Sequence, residues 1–300
     1  MIVNAKIEKI VAKIGDLPAM PEIVNEVMDV TNDENVAVSD VSSLIERDPA
    51  LTAKLLKVSN SSYYGMRQVV GTLKLALVIL GVKEVRNIVL GISVLDSLTD
   101  PSTEKLLNKR GLWDHSVQVA SLSKKLGGFL ELSLQGEDFI AGLLHDIGKM
   151  VLWRQMGEDY KGLYQLSQDT SESLSDLERR KFGFDHSDVA YALTDSWGFP
   201  QSLNGAIWAH HVSEGKSLSD TADPKLAALV QIANLASHDD WGEPDADLET
   251  DVDYSGFSSC VDKEAWGVLL DGTEEIDVAG RYAILKEFVY EVNHSPAIKF

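Results

Sequence analysis

Apolar positions recur at helical spacing along most of the chain, and Pro, Asp and Gly punctuate them where helices would meet. Residues 5–14 alternate charge and aliphatics, and Leu17-Pro18-Ala19-Met20-Pro21 breaks that run. Ile23, Val24, Val27 and Met28 then stripe a helix from Glu22. Ser39 or Asp40 is placed to cap a helix through Val41, Leu44 and Ile45. Asp48-Pro49 opens the next, since Asp suits the cap and Pro the first turn. That helix, Ala50 to Val58, runs into Ser59-Asn60-Ser61-Ser62-Tyr63-Tyr64-Gly65. Gly71-Thr72 precede an amphipathic run from Leu73 to Leu80, Gly81 stops it, and a further helix spans Lys83 to Val94. Pro and Asn at these joints set caps and turns without needing a ligand, and Ser59-Asn60-Ser61 is the best polar surface here for contacting a partner. No strand-period alternation bounded by hairpin signals interrupts these helices, which argues against a sheet domain.

The same period continues downstream. Leu112, Val119, Leu122 and Leu126 share a helical face with His115, which therefore points inward. Ile140, Leu144, Ile147 and Val151 form a second stripe, with Gly142, His145 and Lys149 on an adjacent strip where small residues allow close approach. Gly148 costs a helix about 1 kcal/mol relative to Ala, so a packing or access reason is expected for it. Asp169 to Ser173 reads as a surface joint. Asp185 caps the next helix, with Asp188 in its first turn, and Trp197-Gly198-Phe199-Pro200 ends it. Leu203 and Ile207 lie on one face with either His210 or His211. Asp223-Pro224 starts a helix through Ala236, and Ile284, Leu285, Phe288, Val289 and Val292 mark a closing one. The fold class expected is all-α: an N-terminal helical bundle, a second bundle and a helical tail.

Charge and composition narrow the function. The 27 basic against 47 acidic residues leave a net charge of -20, which disfavours nucleic acid or anionic lipid as partners. Protein partners or a metal-neutralised ligand fit better. From Glu214 to Phe300 there are 19 acidic and 6 basic residues, so the tail carries most of the negative balance. Its run from His238 through Asp253 lacks the Gly-centred spacing of a calcium loop and reads as solvated surface. The single cysteine, Cys260, excludes an intrachain disulfide and a thiolate metal cage. No apolar stretch reaches the roughly 18 residues of a membrane span, and no signal peptide is evident, so the cytoplasm is the expected compartment.

One polar pair stands inside an apolar run: Ala141-Gly142-Leu143-Leu144-His145-Asp146-Ile147-Gly148-Lys149. Imidazole and carboxylate are the ligands that borderline divalent metals favour, and a neighbouring Lys can hold an anionic oxygen. Taken alone, such a pair also fits a hydrogen-bonded core. His115, His186, His210 and His211 fall where helices would carry them to it. His186, at the positive end of its helix, is expected to stay neutral, though a surface position near the cap fits equally. Adjacent residues on a helix face apart, so at most one of His210 and His211 is expected to ligate a given ion, unless two ions lie about 3.5–4 Å apart as in two-metal hydrolases.

In order, these residues resemble the HD superfamily of metal-dependent phosphohydrolases, whose pattern is His, then His-Asp, then a late Asp. The matching late segment, Ala228 to Ala236, carries Asn234 instead. The Gly-Tyr-Pro signature of the branch that cleaves cyclic dinucleotides is missing where Val212-Ser213-Glu214-Gly215-Lys216 stands. Leu17-Pro18-Ala19-Met20-Pro21, Arg47-Asp48-Pro49-Ala50-Leu51, Val58-Ser59-Asn60-Ser61, Leu80-Gly81-Val82 and Phe182-Gly183-Phe184-Asp185-His186 resemble the HDOD family, the HD-related output domain of bacterial signalling proteins. The resemblance covers residues 17–213, with an N-terminal part at 17–100 and an HD-like part at 101–213. Residues 214–300 are left as an acidic helical extension packing on the HD-like part. It implies a signalling output module working through other signalling proteins, without catalysis. Its metal ligands would come from His115, His145, Asp146, His186, His210, His211 and Asn234. Imidazole donors suit Fe, Mn, Ni or Zn better than Mg. The alternative is an HD phosphohydrolase in which Lys149 clamps a small phosphate-containing ligand. With Asn234 neutral, the sequence favours one weakly held ion.

Overall fold

The computed structural model describes residues 10, 17–31, 33, 36–60, 68–99, 111–134, 136–170, 172–211, 216–241, 253–272 and 275–294, and among these it is helical without a strand. Of the expected helix at 5–14 only Ile10, helical and buried, is described, and the turn residues 61–65, the segment 212–215 and most of the acidic loop lie outside the described residues.

The first half comprises α1 (Glu22–Thr31), α2 (Val38–Ile45), α3 (Pro49–Ser59), α4 (Leu73–Leu80) and α5 (Val82–Leu98). Helices α1, α3 and α4 pack on α5, and α2 packs on α1 and α4. Local signals set these boundaries. The Asp48 carboxylate accepts from the backbone N–H of Ala50 and Leu51 at 2.9 and 3.0 Å, with Pro49 opening α3. Thr72 accepts from Leu75 N–H at the start of α4. Gly81, at φ +86°, makes the corner into α5 in a region that side chains rarely adopt. Neither Ser39 nor Asp40 caps α2. The helix begins earlier, after Ala37, and leaves both inside its first turn. The Ser59-Asn60 polar surface is committed to the fold. Ser59 is buried and donates to the Leu55 carbonyl, while Asn60 clasps Val70, donating to its carbonyl at 2.8 Å and accepting from its N–H at 2.7 Å.

The second half comprises α6 (Leu112–Phe129), α7 (Glu137–Leu144), α8 (Ile147–Met156), α9 (Glu158–Asp169), α10 (Leu174–Phe182), α11 (His186–Ser196), α12 (Gln201–Trp208), α13 (Pro224–His238), α14 (Ser258–Val261), α15 (Lys263–Leu269) and α16 (Val278–His294). Helix α13 runs through its middle, packed on α6, α7, α12, α14 and α15, and every residue from Leu226 to Asn234 is buried. A helix covered on all sides belongs to the core. The acidic tail segment thus supplies the central rod of this half, while α16 closes over α6. Helix α5 meets α7 and α8 to join the halves, and Trp197 Nε1–H donates to the Pro18 carbonyl at 2.9 Å, fixing the Leu17–Pro21 motif to the second half.

Two glycines explain how closely the helices around the histidines approach. A Cβ at Gly142 would lie 2.6 Å from Ala120 Cα, where α7 presses on α6. A Cβ at Gly148 would fall 1.8 Å from the His186 carbonyl oxygen, where α8 presses on the start of α11. The reason for Gly148 is therefore packing.

Candidate metal centre

The apolar run around His145 is not one continuous helix. Helix α7 ends at Leu144, α8 starts at Ile147, and His145-Asp146 form the turn between them. The turn aims both side chains at the second half's interior, where His145 and Asp146 are fully buried. Similarly, α12 stops at Trp208, so His210 and His211 lie beyond a helix and both rings face inward, their centroids 4.0 Å apart. The expectation that the two rings would face apart rested on helical geometry, which the chain has left at this point.

Four of the rings are held through Nδ1, which turns Nε2 toward Asp146. His145 Nδ1–H donates to the Gly142 carbonyl at 2.7 Å, and His210 Nδ1–H donates to that of Ile207 at 2.6 Å. Ser237 gives its proton to the Asn234 carbonyl, so its oxygen accepts from His115 Nδ1–H at 3.2 Å. His186 Nδ1–H donates to Glu178 at 2.7 Å. Such outer contacts fix the tautomer that leaves Nε2 available to a metal.

The available nitrogens converge on Asp146 from two sides. Around Oδ2, His115 Nε2 and His145 Nε2 stand 3.1 Å apart and each 3.4 Å from the oxygen. Around Oδ1, His186 Nε2 lies at 3.3 Å and His210 Nε2 at 3.6 Å, with His211 Nε2 2.8 Å from His186 Nε2. Ligand atoms bound at about 2.0–2.1 Å to one ion sit roughly 3.0–3.4 Å from one another. Both groups approach that spacing, and they share one carboxylate. The sequence led to an expectation of one weak site; the geometry offers two half-sites on opposite oxygens of Asp146.

The donor set fits a divalent transition ion. Asp146 Oδ1 and His210 Nε2 are buried and form no hydrogen bond, an arrangement that is costly unless something else satisfies them. Asn234 is buried on α13 with its Oδ1 equally unpartnered. His238, one turn further along the same face, stacks against His115 with ring centroids 4.8 Å apart.

Charge in the metal-free centre is balanced by two cations. Burial pushes the Asp146 carboxyl up, but the His145 imidazole and the Lys149 ammonium outweigh it and hold the group well below the usual carboxylate range. Lys149 Nζ sits 2.5 Å from Asp146 Oδ2. Burial lowers His115 and His211 well below the ordinary imidazole value and His210 to about 3, so these rings are neutral. Burial acts on His186 in the same direction, yet the Glu178 carboxylate reverses it and raises the ring to about 9. This overturns the expectation that the helix N-terminus would keep His186 neutral. Asp185 does cap α11, in a reciprocal box with Asp188, but the buried carboxylate outweighs the helix end.

Glu178, Tyr160, Ser237 and His238 were not singled out from the sequence. Glu178 Oε1 accepts from Tyr160 O–H at 2.6 Å, and Oε2 accepts from both the backbone N–H and the ring of His186. A signal for Glu178 existed: it falls four residues after Leu174 and beside Leu177, an acid on the apolar stripe of α10. For His238 the signal was its spacing of four from Asn234.

Comparison with known proteins gives the family and the fold. The chain matches the HDOD domain over residues 17–213, and it belongs to the HDOD family. An HDOD domain protein of unknown function from Geobacter sulfurreducens has the same fold, with a TM-score of 0.72, 22% identity, and 97% of each chain covered. A Shewanella amazonensis protein named as a candidate phosphohydrolase superposes with a TM-score of 0.67 at 21% identity over 94% of this chain and 98% of that one. A Marinobacter aquaeolei protein named as a candidate signal transduction protein gives 0.63 at 20% identity, covering 97% of this chain and 66% of its own. An uncharacterised Treponema pallidum protein is 25% identical over 206 residues, 66% of this chain and 38% of that relative's length. Among the described residues no helix is long and apolar enough to cross a membrane.

Proposed function

We propose that this chain is a cytoplasmic signalling output module that binds divalent transition metal and acts on protein partners without hydrolysing a substrate. Residues 17–213 form the HDOD unit, and 214–300 complete its second half. The observation that carries the metal is the convergence of five histidine Nε2 atoms on the two carboxylate oxygens of the buried Asp146, with His145, His210 and His115 held through Nδ1; an ion would displace the Nε2 proton of His186. His115, His145 and Asp146 would hold one ion, and Asp146, His186, His210 and His211 a second. Fe, Mn, Ni or Zn suits these donors.

Two features support a non-catalytic role. Asn234 replaces the late carboxylate, so one anion would compensate two dications. Lys149, the cation that would clamp a phosphate, is already seated on Asp146. The competing reading, a metal-dependent phosphohydrolase, is favoured by the carboxylate shared between two ligand groups. An ion there would supply a Lewis acid and an activated water. Assays of Mn-, Fe- and Zn-supplemented protein on bis(p-nitrophenyl) phosphate and nucleotides decide between them. Turnover far below about 1 per second is expected; turnover at or above it, lost in His145→Ala, would establish the enzyme.

A further inference from the structure

The half-site on Asp146 Oδ2 meets solvent at His115. The side chains of His145 and Asp146 are 0% and 1% exposed, whereas His115 keeps 13%. The last turn of α13 stands against that ring. Asn234, Ser237 and His238, at i, i+3 and i+4, share a helical face. Asn234 has its Oδ1 buried and unpartnered, Ser237 holds His115 Nδ1, and His238 lies over the His115 ring at a tilt of 32°.

His238 is unlike the other rings of the centre. It is exposed, and neither of its nitrogens has a hydrogen-bond partner among the described residues. Those nitrogens stand outside the group formed by His115, His145 and Asp146. The ring itself is as close as the neighbours inside the centre. Its centroid lies 4.8 Å from that of His115, against 5.0 Å between His115 and His145 and 4.7 Å between His145 and His210. Lys149 and Asp146 are within electrostatic reach of it. An exposed imidazole changes rotamer freely, so the edge of this ring can turn inward without a backbone shift.

We infer that His238 is the fourth ligand of the Oδ2 half-site, turning from its stack on His115 to complete a tetrahedral set with His115, His145 and Asp146. Four protein ligands are the pattern of structural sites, while catalytic ones keep a position open for water. Imidazole is also a better donor to Zn, Fe or Ni than the neutral carboxamide of Asn234. The inference rests on the reading of the cluster as a metal centre and deepens it: with the fourth position taken, an ion on this half-site holds the fold and has no place for an attacking water.

Zn and Co(II) titrations of the full chain test this in a His186→Ala background, where the Oδ2 half-site alone keeps its full set. Co(II) substitutes for Zn and reports its coordination through visible bands, intense for four ligands and weak for five or six. His186→Ala is expected to bind one ion with intense bands. Adding His238→Phe keeps a ring over His115 but removes the donor nitrogen, so affinity should fall at least about tenfold and the bands should weaken. Because His238 is exposed, unchanged thermal unfolding of the metal-free variant would show that it folds. If the wild type binds, then absent or weak bands in His186→Ala, or equal affinity and bands with and without His238→Phe, overturn the ligand assignment and leave the metal centre standing. Wild-type protein that takes up neither ion overturns the metal centre itself, and the inference with it.

Discussion

Glu178→Gln isolates the electrostatics of the centre from its shape. The amide retains an oxygen that can accept from the backbone N–H and Nδ1–H of His186, and its NH₂ can donate to the Tyr160 hydroxyl. The substitution therefore removes charge while keeping a hydrogen-bonded arrangement. In metal-free protein the carboxylate holds His186 at about 9 rather than near 6.5. A raised imidazole stabilises the fold fully below the unfolded value, and that contribution disappears as pH rises through the folded one. The window is thus pH 6.5 to about 9, and the shift corresponds to about 3 kcal/mol. Urea unfolding of chelator-treated protein at several pH values measures it. Wild type should lose up to about 3 kcal/mol across the window, and Glu178→Gln under about 1 kcal/mol. Other groups titrating there affect both proteins alike, so the difference is the readout. Two proteins with superimposable pH profiles would refute the argument. Because the same carboxylate orients a candidate ligand, metal affinity in the variant should also fall by roughly 10- to 100-fold.

Gly148→Ala should destabilise the protein by at least about 2 kcal/mol, since its Cβ would meet the His186 carbonyl oxygen at 1.8 Å and force α8 from α11; denaturant unfolding checks this. Asn234→Asp should tighten metal binding, measured by calorimetric titration with Zn or Mn, because it restores a carboxylate at a buried, unpartnered position. A variant that binds more weakly would show that Asn234 does not face the ions.

Most of the fold was legible because its boundaries are local. Asp48-Pro49, Thr72, Gly81, the Asp185–Asp188 box and Asp223-Pro224 each act within a few residues, and each marks a helix end in the structure. Ser39 and Asp40 misled because a good capping residue is also tolerated in a first turn. The site was legible as a set of residue types in order. Its geometry was not, because His145-Asp146 and His210-His211 occupy turns that a helical period carries straight through. Glu178 and Tyr160 were hidden for a different reason. Their burial comes from the packing of α8 to α11, and a segment reading Leu174-Ser175-Asp176-Leu177-Glu178-Arg179-Arg180-Lys181-Phe182 looks like a solvated surface helix.

The central claim is that the histidines around Asp146 form a metal site. Elemental analysis of protein purified from metal-supplemented medium, beside His145→Ala and His186→Ala prepared identically, tests it most directly. Wild-type protein should carry Fe, Mn, Ni or Zn and both variants less, with His145→Ala and His186→Ala each depleting its own half-site. Wild-type protein free of these metals, or variants carrying the same amount, would contradict the account and leave the cluster as a hydrogen-bonded core.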